Sequence, residues 1–117
     1  MASTLYHRAL ELLQYLIATP SFSKEEDATA YIIARFLEQE GIKANRHLNN
    51  VWAVNEGFDL SKPTLLLNSH HDTVKPNPQY TLDPFEPVTR EGKLFGLGSN
   101  DAGGPLVALI ATFLHFA

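Results

Sequence analysis

Asn68-Ser69-His70-His71-Asp72-Thr73-Val74 places two imidazoles and a carboxylate directly after an apolar run. In an extended chain alternate residues face the same way, so His70 and Asp72 share a side and His71 points elsewhere. A carboxylate beside an imidazole takes the ring N–H and fixes the tautomer that offers the other nitrogen to a metal. A solvated polar loop at a strand end accounts for the same residues, so this motif alone does not decide. The second candidate is Gly96-Leu97-Gly98-Ser99-Asn100-Asp101-Ala102-Gly103-Gly104. Its glycines permit sharp turns and leave Asp101 at the head of a helix. A carboxylate there can bridge two cations, the arrangement of a binuclear site with ions about 3.5–4 Å apart. It can equally cap the helix. A phosphate cradle fits poorly: the spacing is neither G-x-G-x-x-G nor a Walker loop, and Asp101 would repel an anion.

The other histidines have weaker claims. His7 and His47 have no acidic or histidine neighbour in sequence, and His115 lies in an apolar stretch where packing or capping suffices. Trp52, in an expected strand, reads as a core residue. The chain has no cysteine, which leaves His, Asp and Glu to hold any metal.

Composition narrows the class further. The 117 residues suit one domain, and 44% hydrophobic with 19% charged residues is ordinary for a globular protein. A net charge of −4 supplies no basic patch for nucleic acid or anionic membrane. No run approaches the roughly 20 apolar residues of a membrane span, and the N-terminal stretch lacks a signal peptide's uninterrupted apolar core. A cytoplasmic protein is expected.

The elements that must position these residues follow from periodicity. Leu5, Ala9, Leu12, Leu13, Leu16 and Ile17 recur at helical spacing, which predicts a helix over 4–18 that ends at Thr19-Pro20. Ser23-Lys-Glu-Glu26 reads as a capping box opening a second helix, from Lys24 to about Glu40, with Gly41 as its left-handed cap. Ile33, Phe36 and Leu37 are its core stripe. Strands are expected at 42–48 and 51–55, turning at Asn49-Asn50, with a buried central strand at Thr64–Leu67. Residues 75–87, with four prolines, read as a surface loop. Val88 to Leu94 reads as a hairpin turning at Glu91-Gly92. The segment 105–117 is apolar on all sides and predicts a helix needing cover on more than one face. Helices flanking a mixed sheet make this an α/β domain.

Taken together the motifs are specific. Leu-Asn-Ser-His-His-Asp-Thr-Val, then Asp83-Pro-Phe-Glu-Pro87, then Glu91-Gly-Lys-Leu-Phe-Gly-Leu-Gly-Ser-Asn-Asp101 follow the order and spacing of one family. The chain resembles the start of the co-catalytic zinc amidohydrolases and peptidases that include acetylornithine deacetylase, succinyl-diaminopimelate desuccinylase, aminoacylase and carboxypeptidase relatives. Gly96-Leu97-Gly98 leans toward acetylornithine deacetylase, since desuccinylases typically carry arginine between those glycines. Two departures stand out: Lys75 precedes Pro76 where the family commonly has proline at once, and Ala102-Gly103-Gly104 replaces Met-Lys-Gly.

The resemblance implies a partial zinc-peptidase-like catalytic domain, with residues 1–117 as its N-terminal portion and the lid and dimerisation domain outside the chain. It implies zinc-dependent hydrolysis of the amide bond of an N-acyl amino acid, as in arginine biosynthesis. Dipeptidase or carboxypeptidase activity on the same scaffold, or a non-catalytic truncated domain, is the alternative. Two zinc ions are implied, with cobalt able to substitute, and a homodimer as the complete protein. His70 resembles a terminal metal ligand, Asp72 the catalytic-site aspartate that orients it, and Asp101 the metal-bridging carboxylate followed by a cis peptide. The implied mechanism uses a water activated by glutamate. That glutamate and the remaining ligands are expected further along, because no Glu-Glu pair follows Asp101.

Overall fold

The computed structural model describes residues 4–117. Helix α1 spans Leu5–Ala18 and starts where Thr4 accepts the His7 N–H on its hydroxyl. This satisfies one of the amides that every helix start leaves unpaired. Its stripe of Ala9, Leu12, Leu13 and Ile17 is buried. Helix α2 spans Asp27–Gln39 and buries Thr29, Ala30, Ile33 and Leu37. Gly41 ends it at φ +81°, where Ile42 N–H returns to the Leu37 carbonyl at 2.9 Å. Arg8 on α1 pairs with Glu40 at 2.9 Å and ties the two helices together.

The capping box does not form. Helix α2 begins at Asp27, after Lys24 has turned through φ +72°, and no side chain caps it. Glu26 instead accepts from the Lys24 N–H and, through its other oxygen, from Asn49 at 2.9 Å. Ser23 points across the fold to Asp72. A local capping partner has lost to a distant one.

Strands β1 (Asn45–His47) and β2 (Asn50–Trp52) form an antiparallel hairpin lying against α2. His47 pairs with Asn50, so the turn falls at Leu48-Asn49, one residue earlier than expected. Val51 and Ala53 pack on the core, and the two-residue period then sends Trp52 outward, where it is 48% exposed. Trp52 is therefore not a core residue. Strands β3 (Val88–Arg90) and β4 (Lys93–Phe95) form a second hairpin, turning at Glu91 and Gly92, both at positive φ. Two left-handed residues make the turn whose twist suits a tight hairpin.

The α/β class holds, but the sheet is two separate antiparallel ribbons and not one mixed sheet. Residues 64–67 have no regular secondary structure and no strand partner, with Leu65 and Leu66 more than 80% exposed. A central strand needs a ladder on each side, and among the described residues each of the four strands pairs only with its hairpin partner. A single parallel bridge, Phe22 to Thr73, joins the segment before α2 to the segment after the leucines.

Helix α3 spans Gly104–Phe116 with Pro105 in its first turn, where a missing N–H costs nothing. Leu106, Val107 and Ile110 pack against α1 and close a core made with Ile33 and Leu37. The opposite side of α3, through Ala108, Thr112 and Phe116, faces solvent. Among the described residues no helix is long and apolar enough to cross a membrane.

Candidate metal centre

Three side chains from two loops meet at one edge of the helical core. His70 Nδ1 lies 3.1 Å from both the Asp72 carboxylate and the Asp72 carbonyl. Both partners only accept, so Nδ1 carries the hydrogen and Nε2 is left with the lone pair. His70 Nε2 in turn lies 3.1 Å from Asp101 Oδ1, although 31 positions separate the two residues. A lone pair and a carboxylate oxygen repel unless a cation or proton sits between them. Burial of the ring works against its charged form. The Asp72 carbonyl, the Asp101 carboxylate and the two nearby negative charges outweigh it and raise the His70 pKa above the ordinary histidine value.

Asp72 is held from behind. Ser23 donates to Asp72 Oδ2 at 2.6 Å, which leaves Oδ1 free for His70. That hydroxyl is the main reason the Asp72 carboxyl lies below the usual carboxylate range. Burial opposes the shift, and the His70 charge adds to it. Asp101 does not cap α3: its backbone is non-helical, the peptide to Ala102 is cis, and no side chain caps the helix start. Its carboxylate projects into the cleft and is largely exposed.

Glycines bring the Asp101 loop this close. A Cβ on Gly96 would sit 2.3 Å from Ile17 Cγ2, and one on Gly103 would sit 2.6 Å from Leu13 and 2.7 Å from the Gly98 carbonyl. Gly98 turns at φ +78° under Thr73. The loop therefore lies directly on α1, and α1 sets the position of Asp101.

His71 faces away, as alternation requires. Its Nδ1 is 2.7 Å from Thr29 Oγ1 and its Nε2 is 2.8 Å from the Asn49 carbonyl. Ser21 donates to the His71 carbonyl at 2.9 Å and accepts the Thr73 N–H on its own carbonyl at 2.7 Å. Ser21, Ser23, Thr29 and Asn49 all support this loop, and sequence reading singled out none of them for it. Ser23 carried a signal, but a local one, as a helix cap.

His70, Asp72 and Asp101 line a cleft of about 570 Å³ that also takes in Tyr80, Phe95 and Leu97. His7 stays with Thr4 at the start of α1, and His115 stacks edge-on against Phe116 at the far end of α3. Neither His7 nor His115 lines the cleft, and His47 lies in β1. Among the described residues no group of three or more side chains is placed to hold a metal ion together. The donor set is one imidazole and one carboxylate, oriented by a second carboxylate. Two donors on one tetrahedral zinc, at bond lengths of about 2.0–2.1 Å, stand roughly 3.3 Å apart. The 3.1 Å separation of Nε2 and Oδ1 fits that pair.

Residues 66–117, which hold all three side chains, match the model of "Peptidase family M20/M25/M40". Over 93% of its length the chain is 29% identical to a succinyl-diaminopimelate desuccinylase of Delftia acidovorans. It is 32% identical over 92% of its length to the enzyme of that name from Stenotrophomonas maltophilia, and 37% identical over 86% to that from Xylella fastidiosa. It spans 31%, 29% and 28% of the lengths of these three curated relatives. Over residues 66–117, where the motifs lie, the chain is similar to the M20/M25/M40 peptidase family.

Proposed function

We propose that this chain supplies part of the metal centre of a zinc-dependent amidohydrolase that cleaves the amide bond of an N-acyl amino acid. The observation that carries the reading is the opposed pair, His70 Nε2 and Asp101 Oδ1, 3.1 Å apart and lining one cleft. Asp72 holds the imidazole in the tautomer that presents Nε2. When bound, zinc supplies Lewis acidity toward an acyl carbonyl and toward water. His70 and Asp101 would hold it, and Asp101 has a second oxygen free for a neighbouring ion. Among the described residues no glutamate lines the cleft to serve as the base.

The relatives named above act on a succinylated diamino acid, and they support that substrate class first. The acetylornithine reading rests on Leu97 between Gly96 and Gly98, a buried residue whose amide bonds the Pro84 carbonyl. A cytoplasmic location and a homodimeric complete protein belong to the same proposal.

Two measurements test it. Paramagnetic cobalt added to the chain is expected to broaden the His70 ring resonances, and His70→Ala and Asp101→Ala are each expected to weaken uptake at least tenfold. Absence of broadening at His70 in the unaltered chain would sink the metal reading. The 117-residue chain with zinc is expected to hydrolyse neither N-succinyl-diaminopimelate nor N-acetylornithine, because catalysis needs a base within hydrogen-bond reach of the water. Hydrolysis above a His70→Ala control would show that the chain holds its own base.

A further inference from the structure

We infer that Ser23 is a positioning residue for the metal centre, fixing Asp72 so that Asp72 can fix His70. This rests on the metal reading above and adds a residue to it. The Ser23 hydroxyl donates to Asp72 Oδ2 at 2.6 Å across 49 positions of sequence. Asp72 then has one oxygen engaged and one aimed at His70 Nδ1 at 3.1 Å. Ser23, Asp72, His70 and Asp101 make a continuous line of polar contacts from the segment before α2 to the cleft.

The backbone is arranged to deliver this contact. Thr73 N–H bonds the Ser21 carbonyl, and Phe22 bridges Thr73 in parallel, so residues 21–23 run alongside 71–73. Ser21 anchors that alignment by donating to the His71 carbonyl and is itself only 3% exposed. Phe22 packs its ring against Phe85 at a centroid distance of 6.1 Å. Ser23 thus reaches Asp72 from a segment held on both sides. The Asp72 side chain is 36% exposed, so without that hydroxyl the His70 ring alone is left to hold its carboxylate against turning to water. The alternative role, capping α2, is excluded by Glu26 standing at the helix start with no side-chain cap.

The test compares Ser23→Val with its isostere Ser23→Thr, which keeps the hydroxyl, in the full 117-residue chain. Long-range proton–nitrogen NMR of the zinc-free chain at alkaline pH reads which His70 nitrogen bears the hydrogen. The unaltered chain and Ser23→Thr are expected to hold it on Nδ1, and Ser23→Val to gain a measurable share of the other tautomer. Zinc titrated against the same resonances is expected to bind about tenfold more weakly to Ser23→Val, the low end for loss of an outer partner of a ligand. Ser23→Thr is expected to restore it. A Ser23→Val chain with the original tautomer and zinc affinity within twofold would overturn the inference. If the unaltered chain takes no zinc at His70 while the tautomer still responds to Ser23, the metal reading fails and the positioning role stands. If Ser23→Val does not fold, the unaltered chain decides. A slowly exchanging Ser23 hydroxyl proton close to the Asp72 carboxylate supports the role, and a freely exchanging one refutes it.

Discussion

His70 and His71 are neighbours in sequence with opposite surroundings. His70 opens onto the cleft, whereas the His71 ring lies between Thr29, which is fully buried, and the Asn49 carbonyl. A carbonyl only accepts, so His71 Nε2 carries a hydrogen, and in the neutral ring Nδ1 accepts from the Thr29 hydroxyl. One side chain therefore joins the site loop to α2 and to the β1–β2 turn. His71→Ala leaves the buried Thr29 hydroxyl with the Glu26 carbonyl alone and takes the ring N–H from the Asn49 carbonyl, and is expected to cost about 1–3 kcal/mol in urea unfolding. An unchanged midpoint would show that His71 bears no part of the link. At this scale the sequence was readable where chemistry depends on alternation. The i, i+2 spacing alone put His70 with Asp72 and turned His71 away. It could not show Ser23 reaching Asp72, because a capping box and a long-range donor have the same local residue pattern.

Among the elements, α1 carries the most consequence for the site. The Asp101 loop lies on it so closely that Gly96 and Gly103 have no room for a methyl group. Gly96→Ala is expected to destabilise by about 1–3 kcal/mol, since Ile17 belongs to a packed core and must shift. Gly98→Ala adds to a similar clash with Thr73 a left-handed φ that costs an alanine about 1–2 kcal/mol. Gly57→Ala, with nothing within 4 Å, is the control and is expected to be nearly neutral. Thermal melts of the four chains check this, and equal melting of Gly96→Ala and Gly57→Ala would mean that the loop does not rest on Ile17. Elements whose signals are local were legible. Thr4 starting α1, Gly41 ending α2 and Glu91-Gly92 turning the β3–β4 hairpin all depend on a few adjacent residues. Thr64–Leu67 was not legible as it stands, because a strand's pairing is a property of its neighbours and not of its own apolar run.

The whole molecule exposes more surface than its mass requires. A compact monomer of 13.0 kDa shows about 6,300 Å², whereas this chain exposes 8347 Å². Its radius of gyration of 15.0 Å likewise exceeds the roughly 13.4 Å of a compact chain of this length. The excess of roughly 2,000 Å² is the scale of a protein–protein interface. Much of what is exposed is apolar, including Trp52, Val54, Leu60, Leu65, Leu66 and Phe116. Leaving such side chains wet forgoes about 25 cal/mol for each Å². The chain is therefore expected to self-associate reversibly and to bind a hydrophobic dye, as sedimentation and fluorescence would report. A monodisperse monomer silent to the dye would refute this.

The unpaired leucines also divide the chain in a way that ligation chemistry could exploit. From Val54 to Ser69 the hydrogen bonds are local turns, Phe58 to Asn55 and Lys62 to Asp59, and the backbone there is open to a protease. A single cut by thermolysin ahead of Leu65 or Leu66 would leave His70, Asp72 and Asp101 on one piece, and Ser21, Ser23 and Thr29 on the other. The pieces would remain joined by the α1–α3 core and by Ser21, Ser23 and Thr29 gripping the loop. Nicked protein is expected to co-elute as one particle on gel filtration and to separate only in denaturant. Donor atoms and their supports could then be labelled or exchanged independently, as two halves of a reconstitutable site.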